Sequence, residues 1–199
     1  MKRLFIAIPI EKKWEKIFEK YRDPMGGVAW LRFDALLKLH VTLLFIGATD
    51  EELIPEIEDA LSDIVMAQPP FSLTLEKITY APEGQKASMV WATWKHQPEF
   101  GTLAARVREE LSYIVGNVDS DPILPHTTLA RFNKKVPPPK ELIHLKQSGH
   151  EGEVMMIKEI ELIETVMTPT GSIFKTLKTF KLSGLSFMDE GVEEREVLS

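Results

Sequence analysis

One four-residue pattern, present twice, constrains this chain more than any other feature. His40-Val41-Thr42-Leu43 returns as His126-Thr127-Thr128-Leu129, 86 residues further on. The chain has five histidines, and two of them head this pattern. Both copies lie in apolar, β-branched stretches, His40 to Ile46 and 126–132, that read as strands. Side chains two apart on a strand share a face. His40 and Thr42 are therefore expected on one face, with Val41, Leu43 and Phe45 on the opposite, core-directed face. His126 and Thr128 pair in the same way, and Leu129 points away. Two such strands facing one another across a pseudo-twofold axis line one cleft with two imidazoles and two hydroxyls.

The rest of the chain supplies a frame for two such strands. Residues 3–9 read as a strand, and residues 11–22 place Trp14, Ile17, Phe18 and Tyr21 at helical spacing. Pro24 to Gly27 is a turn, and Val28 to Leu31 a short extended segment. Gly47 is expected to stop the first histidine strand. Asp50 reads as the cap of a helix reaching about Met66, with Pro55 delaying its regular part. Residues 71–79 and 87–94 form a hairpin across a turn at Pro82 to Gly84, and 98–116 is helical. After the second histidine strand come Pro137-Pro138-Pro139, a short helix at 140–147, and long strands at 153–166 and 172–183. Short hairpin links favour antiparallel pairing and an α+β class, with helices packed outside the sheets. No Gly-rich phosphate loop of either standard kind is present.

Composition narrows the chemistry. With 199 residues the chain is read as one bilobal domain over 1–188 and an acidic, mobile tail over 189–199. There is no cysteine, so disulfides, thiolate catalysis and Cys-ligated zinc are excluded. The apolar start, Leu4 to Pro9, is too short for a signal or a membrane span, and Glu11, Lys12 and Lys13 follow it. A cytoplasmic monomer with no membrane partner is expected. Net charge is -6, of which residues 189–199 carry -4 through five acids and Arg195. A body at -2 does not grip long RNA by overall charge, but it is compatible with a small site that captures one RNA end.

Two imidazoles and two hydroxyls in one cleft suit the opening of a phosphodiester. A neutral imidazole takes a proton from the attacking oxygen, and a protonated one gives a proton to the departing oxygen. The hydroxyls of Thr42 and Thr128 donate to non-bridging phosphate oxygens. Neither strand has an acid beside its histidine, so the scheme calls for no metal and no cofactor.

On these residues the chain resembles the two-histidine phosphoesterase superfamily, and more closely the RNA 2′,3′-cyclic phosphodiesterases, also called LigT-like proteins or 2′-5′ RNA ligases. The shared features run in order. They are the opening strand Arg3 to Ile8, Trp30, the motif from Leu39 to Gly47, the motif from Pro125 to Arg131, and a closing hairpin containing Ile160 to Thr165 and Gly171 to Phe174. Phe174 stands where a tyrosine is expected, and the segment from Ala81 to Lys86 is less basic than expected beside a nucleotide site.

The resemblance implies two antiparallel sheets around a central cleft and hydrolysis of a terminal 2′,3′-cyclic phosphate to a 2′-phosphomonoester. His40 is implied as proton donor and His126 as acceptor, with Thr42, Thr128 and Arg131 at the phosphate. A regular strand sets Arg131, five residues from His126, on the opposite face, so its membership requires a bend after Leu129. Alternatives of other classes are 2′-5′ ligation, the chemical reverse, and a nucleotide- or RNA-binding module without turnover. His96, His144 and His150 read as surface residues, and Lys134-Lys135 as a solvated pair. Of Trp91 and Trp94, which face opposite sides of their strand, one is expected in the core and the other is available to stack on a base.

Overall fold

The two histidine strands lie side by side and are the only link between two halves of the described sheet. The computed structural model describes residues 1–22, 27–33, 39–83, 86–118, 124–169 and 171–184. Its elements in chain order are β1 (Lys2–Pro9), α1 (Lys12–Arg22), β2 (Leu31–Phe33), β3 (His40–Thr49), α2 (Ile54–Met66) and β4 (Phe71–Ala81). They continue with β5 (Met89–Trp94), α3 (Pro98–Val115), β6 (His126–Phe132), β7 (Val154–Ile157), β8 (Glu159–Thr168) and β9 (Gly171–Lys181). The strands run in the order β7-β4-β5-β6-β3-β1-β8-β9, with β2 added beside β6, and every described pair is antiparallel. The α+β class is thus present, but in place of two separate sheets there is one continuous nine-stranded sheet with two halves, β3-β1-β8-β9 and β7-β4-β5-β6 with β2. They meet at one registered pair, Val41 with Thr127.

The 86-residue echo extends well beyond the histidines. α1 starts at Lys12 and α3 at Pro98, the same separation as His40 and His126. Trp14, Ile17 and Phe18 on α1 are buried, and so are their counterparts Phe100, Leu103 and Ala104 on α3. Each repeat therefore runs strand, helix, histidine strand. A later strand of each repeat crosses to the other half: β4 follows β3 but pairs with β5, and β8 comes after β6 and β7 but pairs with β1. This exchange interlocks the two halves.

One face of the sheet carries the main core. Leu4, Ile6, Ile8, Val41 and Leu129 pack there with Trp14, Phe18, Ile57, Phe100 and Leu103 from the three helices. The opposite face has a separate small cluster of Phe5, Ala7 and Ile163, with Phe174 against it. Beneath the junction, Trp94 Nε1 donates to Thr127 Oγ1 at 3.1 Å, and both side chains are buried. Trp94 is thus the core member of the tryptophan pair.

Several boundaries differ from the sequence reading, for local reasons. β3 does not stop at Gly47; the glycine takes φ +88 beside a bulge and the strand runs on to Thr49. The helix after Asp50 opens with a 3₁₀ turn over Glu51–Leu53, without a side-chain cap, and Pro55 occupies the first turn of α2, where its missing N–H costs no helix bond. Residues 140–147 form no helix; Gln147 instead donates to and accepts from the backbone of Ile78. The expected strand over 153–166 is broken at Lys158, where β7 leaves for β4 and β8 for β1. The turn at Pro24 to Gly27 falls largely outside the described residues, as do Gly84 of the hairpin turn and the whole 189–199 tail. Among the described residues, no helix is long and apolar enough to cross a membrane.

The Trp94–Thr127 bond gives a test of the junction. Thr127→Val keeps the shape and leaves a buried indole N–H without an acceptor, so urea unfolding is expected to show a loss of about 1–3 kcal/mol. Unchanged stability speaks against this contact as a support of the junction.

Candidate active site

Register brings the two motifs into one constellation. With Val41 opposite Thr127, one step either way sets His40 opposite Thr128 and Thr42 opposite His126. Val41 and Thr127 are fully buried on the helix side, so the two histidines and the other two threonines share the opposite, cleft face. Diagonal neighbours of this kind lie about 7–8 Å apart at Cα. That spacing leaves room for one phosphorus centre between the imidazoles.

Two bulges complete the face. Along β6, Trp91 pairs with Thr128 but Val90 with Ala130, so an extra residue enters at Leu129. Leu129 and Ala130 are consequently both fully buried, and the alternation restarts with Arg131 on the cleft side. The bend that the sequence requires is present, and Arg131 shares a face with His126. The same happens on β3, where Ala7 pairs with Thr42 but Ile6 with Leu44. Leu43 and Leu44 are both buried, and Phe45 swings to the cleft side, 52% exposed. This overturns the expectation that Phe45 faces the core: strand parity holds only up to the bulge. Phe45 and Arg131 are 86 residues apart and occupy equivalent places in the two repeats.

Each histidine is backed by a ring from the neighbouring strand. Trp91 stacks on His126 with centroids 3.7 Å apart and planes at 19°. Phe5, again 86 residues earlier, lies 5.1 Å from His40, and Phe174 packs against both, 5.4 Å from His40 and 5.1 Å from Phe5. Trp91 therefore holds a histidine, where its strand position alone makes it available to a base. Phe174, despite lacking a hydroxyl, serves as a wall for His40.

The two imidazoles differ in their surroundings. His126 Nδ1 lies 2.8 Å from the carbonyl oxygen of Leu124. A carbonyl only accepts, so Nδ1 carries the proton, and Nε2 of the neutral ring keeps its lone pair. Burial pushes the His126 pKa below its ordinary value; the Leu124 bond opposes this and the Arg131 charge adds to it. His40 has a different setting. It lines a cavity of about 200 Å³ together with Glu15 and Glu161, and no arginine or lysine lines it among the described residues. Burial raises the Glu161 carboxyl above the usual range, with a bond from Thr176 acting against that rise. One histidine thus sits beside a cation and the other beside carboxyl groups.

The remaining histidines stand apart from this face. His96 and His144 are exposed, and His150 pairs with Glu153 at 2.6 Å. Glu15 and Glu161 are parts of the site that the sequence reading misses, while Trp91 and Phe45 are read there in other roles. Applying the 86-residue offset to Phe5 and to Arg131 finds Trp91 and Phe45 directly.

Known proteins share this architecture. The sequence model of the 2′-5′ RNA ligase superfamily matches residues 9–167. The RNA 2′,3′-cyclic phosphodiesterase of Archaeoglobus fulgidus is 28% identical over 179 residues, covering 90% of this chain and 99% of the relative. That of Thermotoga maritima is 27% identical over 186 residues, covering 92% and 96%. Among solved structures, a protein of Thermus thermophilus superposes with a TM-score of 0.81 at 23% identity, covering 92% of this chain and 98% of that one. E. coli LigT, solved in complex with 3′-AMP, superposes with a TM-score of 0.74 at 22% identity and the same coverage. These structural likenesses show the fold.

The environment of His126 fixes the sign of its titration. Its folded-state pKa lies below the unfolded one, so the stability it contributes is present above about pH 6.5 and is lost as pH falls through the folded value. An NMR titration of the His126 ring is expected to give a midpoint below about 6.5, and Arg131→Met is expected to raise it. A midpoint unmoved or lowered by that substitution contradicts the charge coupling.

Proposed function

This chain belongs to the 2′-5′ RNA ligase superfamily, and we propose that it hydrolyses the terminal 2′,3′-cyclic phosphate of RNA to a 2′-phosphomonoester. The observation that carries this reading is the junction itself, with His40, Thr42, His126 and Thr128 on one face across a single cross-strand pair. The relatives named above as RNA 2′,3′-cyclic phosphodiesterases support it over most of the chain's length.

His126 is the base. Its Nε2 takes a proton from a water molecule as the water oxygen attacks phosphorus. His40 is the acid. As the bond from phosphorus to the 3′ oxygen breaks, His40 gives its proton to that oxygen, leaving a 3′-hydroxyl and a 2′-phosphate. Thr42 and Thr128 donate to the non-bridging oxygens, and the Arg131 guanidinium faces the charge that builds there. The surroundings match the role of His126, since burial and Arg131 disfavour its protonated form; Glu15 and Glu161 line the cavity on the His40 side. A proton passed between the histidines through solvent restores the starting state. Ligation uses the same groups in the same roles, with a 5′-hydroxyl in place of water as the attacking oxygen. Water at its bulk concentration favours hydrolysis.

Incubation of the purified protein with a cyclic-phosphate-ended oligonucleotide tests this, with phosphorus NMR of the product. Wild type is expected to yield the 2′-phosphate, and His40→Ala and His126→Ala are each expected to lose about 10²–10⁴-fold in kcat/KM. Equal turnover by wild type and either variant sinks the assignment, and tight nucleotide binding without cleavage by wild type favours a binding module.

A further inference from the structure

β2 has an odd composition for its position. It is three residues long and adds to the edge of β6 beyond the histidine, with Leu31 opposite Phe132, Arg32 opposite Arg131 and Phe33 opposite Ala130. Two guanidinium groups thus stand directly across from one another on paired strands. Like charges in that relation are destabilising. Among the described residues no carboxylate forms an ion pair with Arg32.

The same two arginines line a groove of about 970 Å³. Lys86, Lys134 and Lys135 line it with them, and none of its described lining residues is acidic. These three lysines are likewise in no ion pair among the described residues. Five cations thus gather along one groove on a chain whose net charge is -6. The far wall comes from the other half of the sheet: Pro169 and Gly171 of the β8–β9 turn line the groove, and Arg32 Nη1 reaches within 4.0 Å of where a Cβ on Gly171 would stand. Because Arg32 lies opposite Arg131, both are on the cleft face, and the groove opens from the side of the reaction centre next to His126.

We propose that this groove binds the backbone phosphates of the RNA strand that leads into the cyclic end, so that the protein takes a polynucleotide terminus in preference to a cyclic mononucleotide. A row of phosphates supplies negative charge that matches the cations lining the groove. Arg131 is shared, touching the reacting phosphate on one side and the groove on the other, while Arg32 and the three lysines serve only the strand. A net acidic body then still captures RNA, because the attraction is confined to one channel. The inference rests on the hydrolytic reading of the site, since it assigns the strand that carries the reacting cyclic phosphate.

Two measurements separate the groove from the chemistry. The first is kcat/KM for a cyclic mononucleotide and for an octanucleotide with the same cyclic end, in wild type, in Arg32→Ala and in Lys134→Ala/Lys135→Ala. The lysine pair lies beyond β6 and outside any strand, so its loss does not endanger the fold. Wild type is expected to prefer the octanucleotide by at least about tenfold at low salt, and to lose that preference as salt rises. Both variants are expected to raise KM for the octanucleotide while leaving the mononucleotide unchanged. The second is binding of a labelled octanucleotide with a 3′-phosphate end, followed by anisotropy against salt. Removing the lysine pair is expected to reduce the salt slope by about 1.4, or about 0.7 per phosphate contact. Hydrolysis with equal kcat/KM for the two lengths, or equal loss on both in the lysine variant, overturns the groove. No hydrolysis of either substrate, with salt-dependent binding retained, overturns the reaction and leaves the groove standing.

Discussion

Everything at this site depends on one cross-strand pair. Val41 opposite Thr127 is the only registered contact between β3 and β6, and those strands are the only bridge in the described sheet order between its two halves. A wider pairing would flatten the join and close the cleft face; no pairing would leave the two histidines unrelated in space. A single pair fixes their relative register while letting the strands diverge on either side. The join is held from below: both residues are fully buried, and Thr127 accepts from Trp94. The exchange of β4 and β8 between halves supports it at a distance, since neither half can be peeled away without breaking a sheet.

The bulges matter as much as the pair. A regular strand offers a site every second residue, so a motif of His-x-Thr would be followed by a side chain at the next even step. The extra residue at Leu129 delays that step by one and delivers Arg131 to the cleft. The irregularity costs little because both bulge positions are filled by apolar residues that pack in the core, Leu43 with Leu44 and Leu129 with Ala130.

What can be read from the chain follows from which features are periodic. The strands, the helices α1 and α3 and the shared face of His40 and Thr42 are written in alternation or in helical spacing, and the structure keeps them. Parity misplaces Phe45 because Leu43-Leu44-Phe45 is a continuous apolar run, with no polar residue to mark a slip. The same ambiguity at Leu129-Ala130 hides the place of Arg131 until the register is known. The break at Lys158 is a tertiary matter: residues 153–166 have the composition of one strand, and only the competition of two edges, β4 and β1, divides them. Residues 140–147 are short enough for a distant partner to decide their shape, and Gln147 is engaged by the backbone of Ile78. A pair of like charges such as Arg32 and Arg131 is invisible until strands are paired.

A duplicated frame poses a chemical problem, because it presents two equivalent imidazoles to a proposed reaction that needs one acid and one base. The repeat solves it at the positions that depart from symmetry. Phe5 and Trp91 back the two rings in the same way, yet the equivalent places beyond the bulges hold Phe45 in one repeat and Arg131 in the other. A cation beside His126 disfavours its protonated form; an aromatic ring in the equivalent place applies no such force to His40. Glu15 and Glu161 stand on the His40 side, a further departure from symmetry. Backbone duplication thus sets where the two groups are, and a few unmatched side chains set what each one does. In the proposed reaction, the direction of proton flow across the phosphate is then a property of the asymmetry rather than of the histidines themselves.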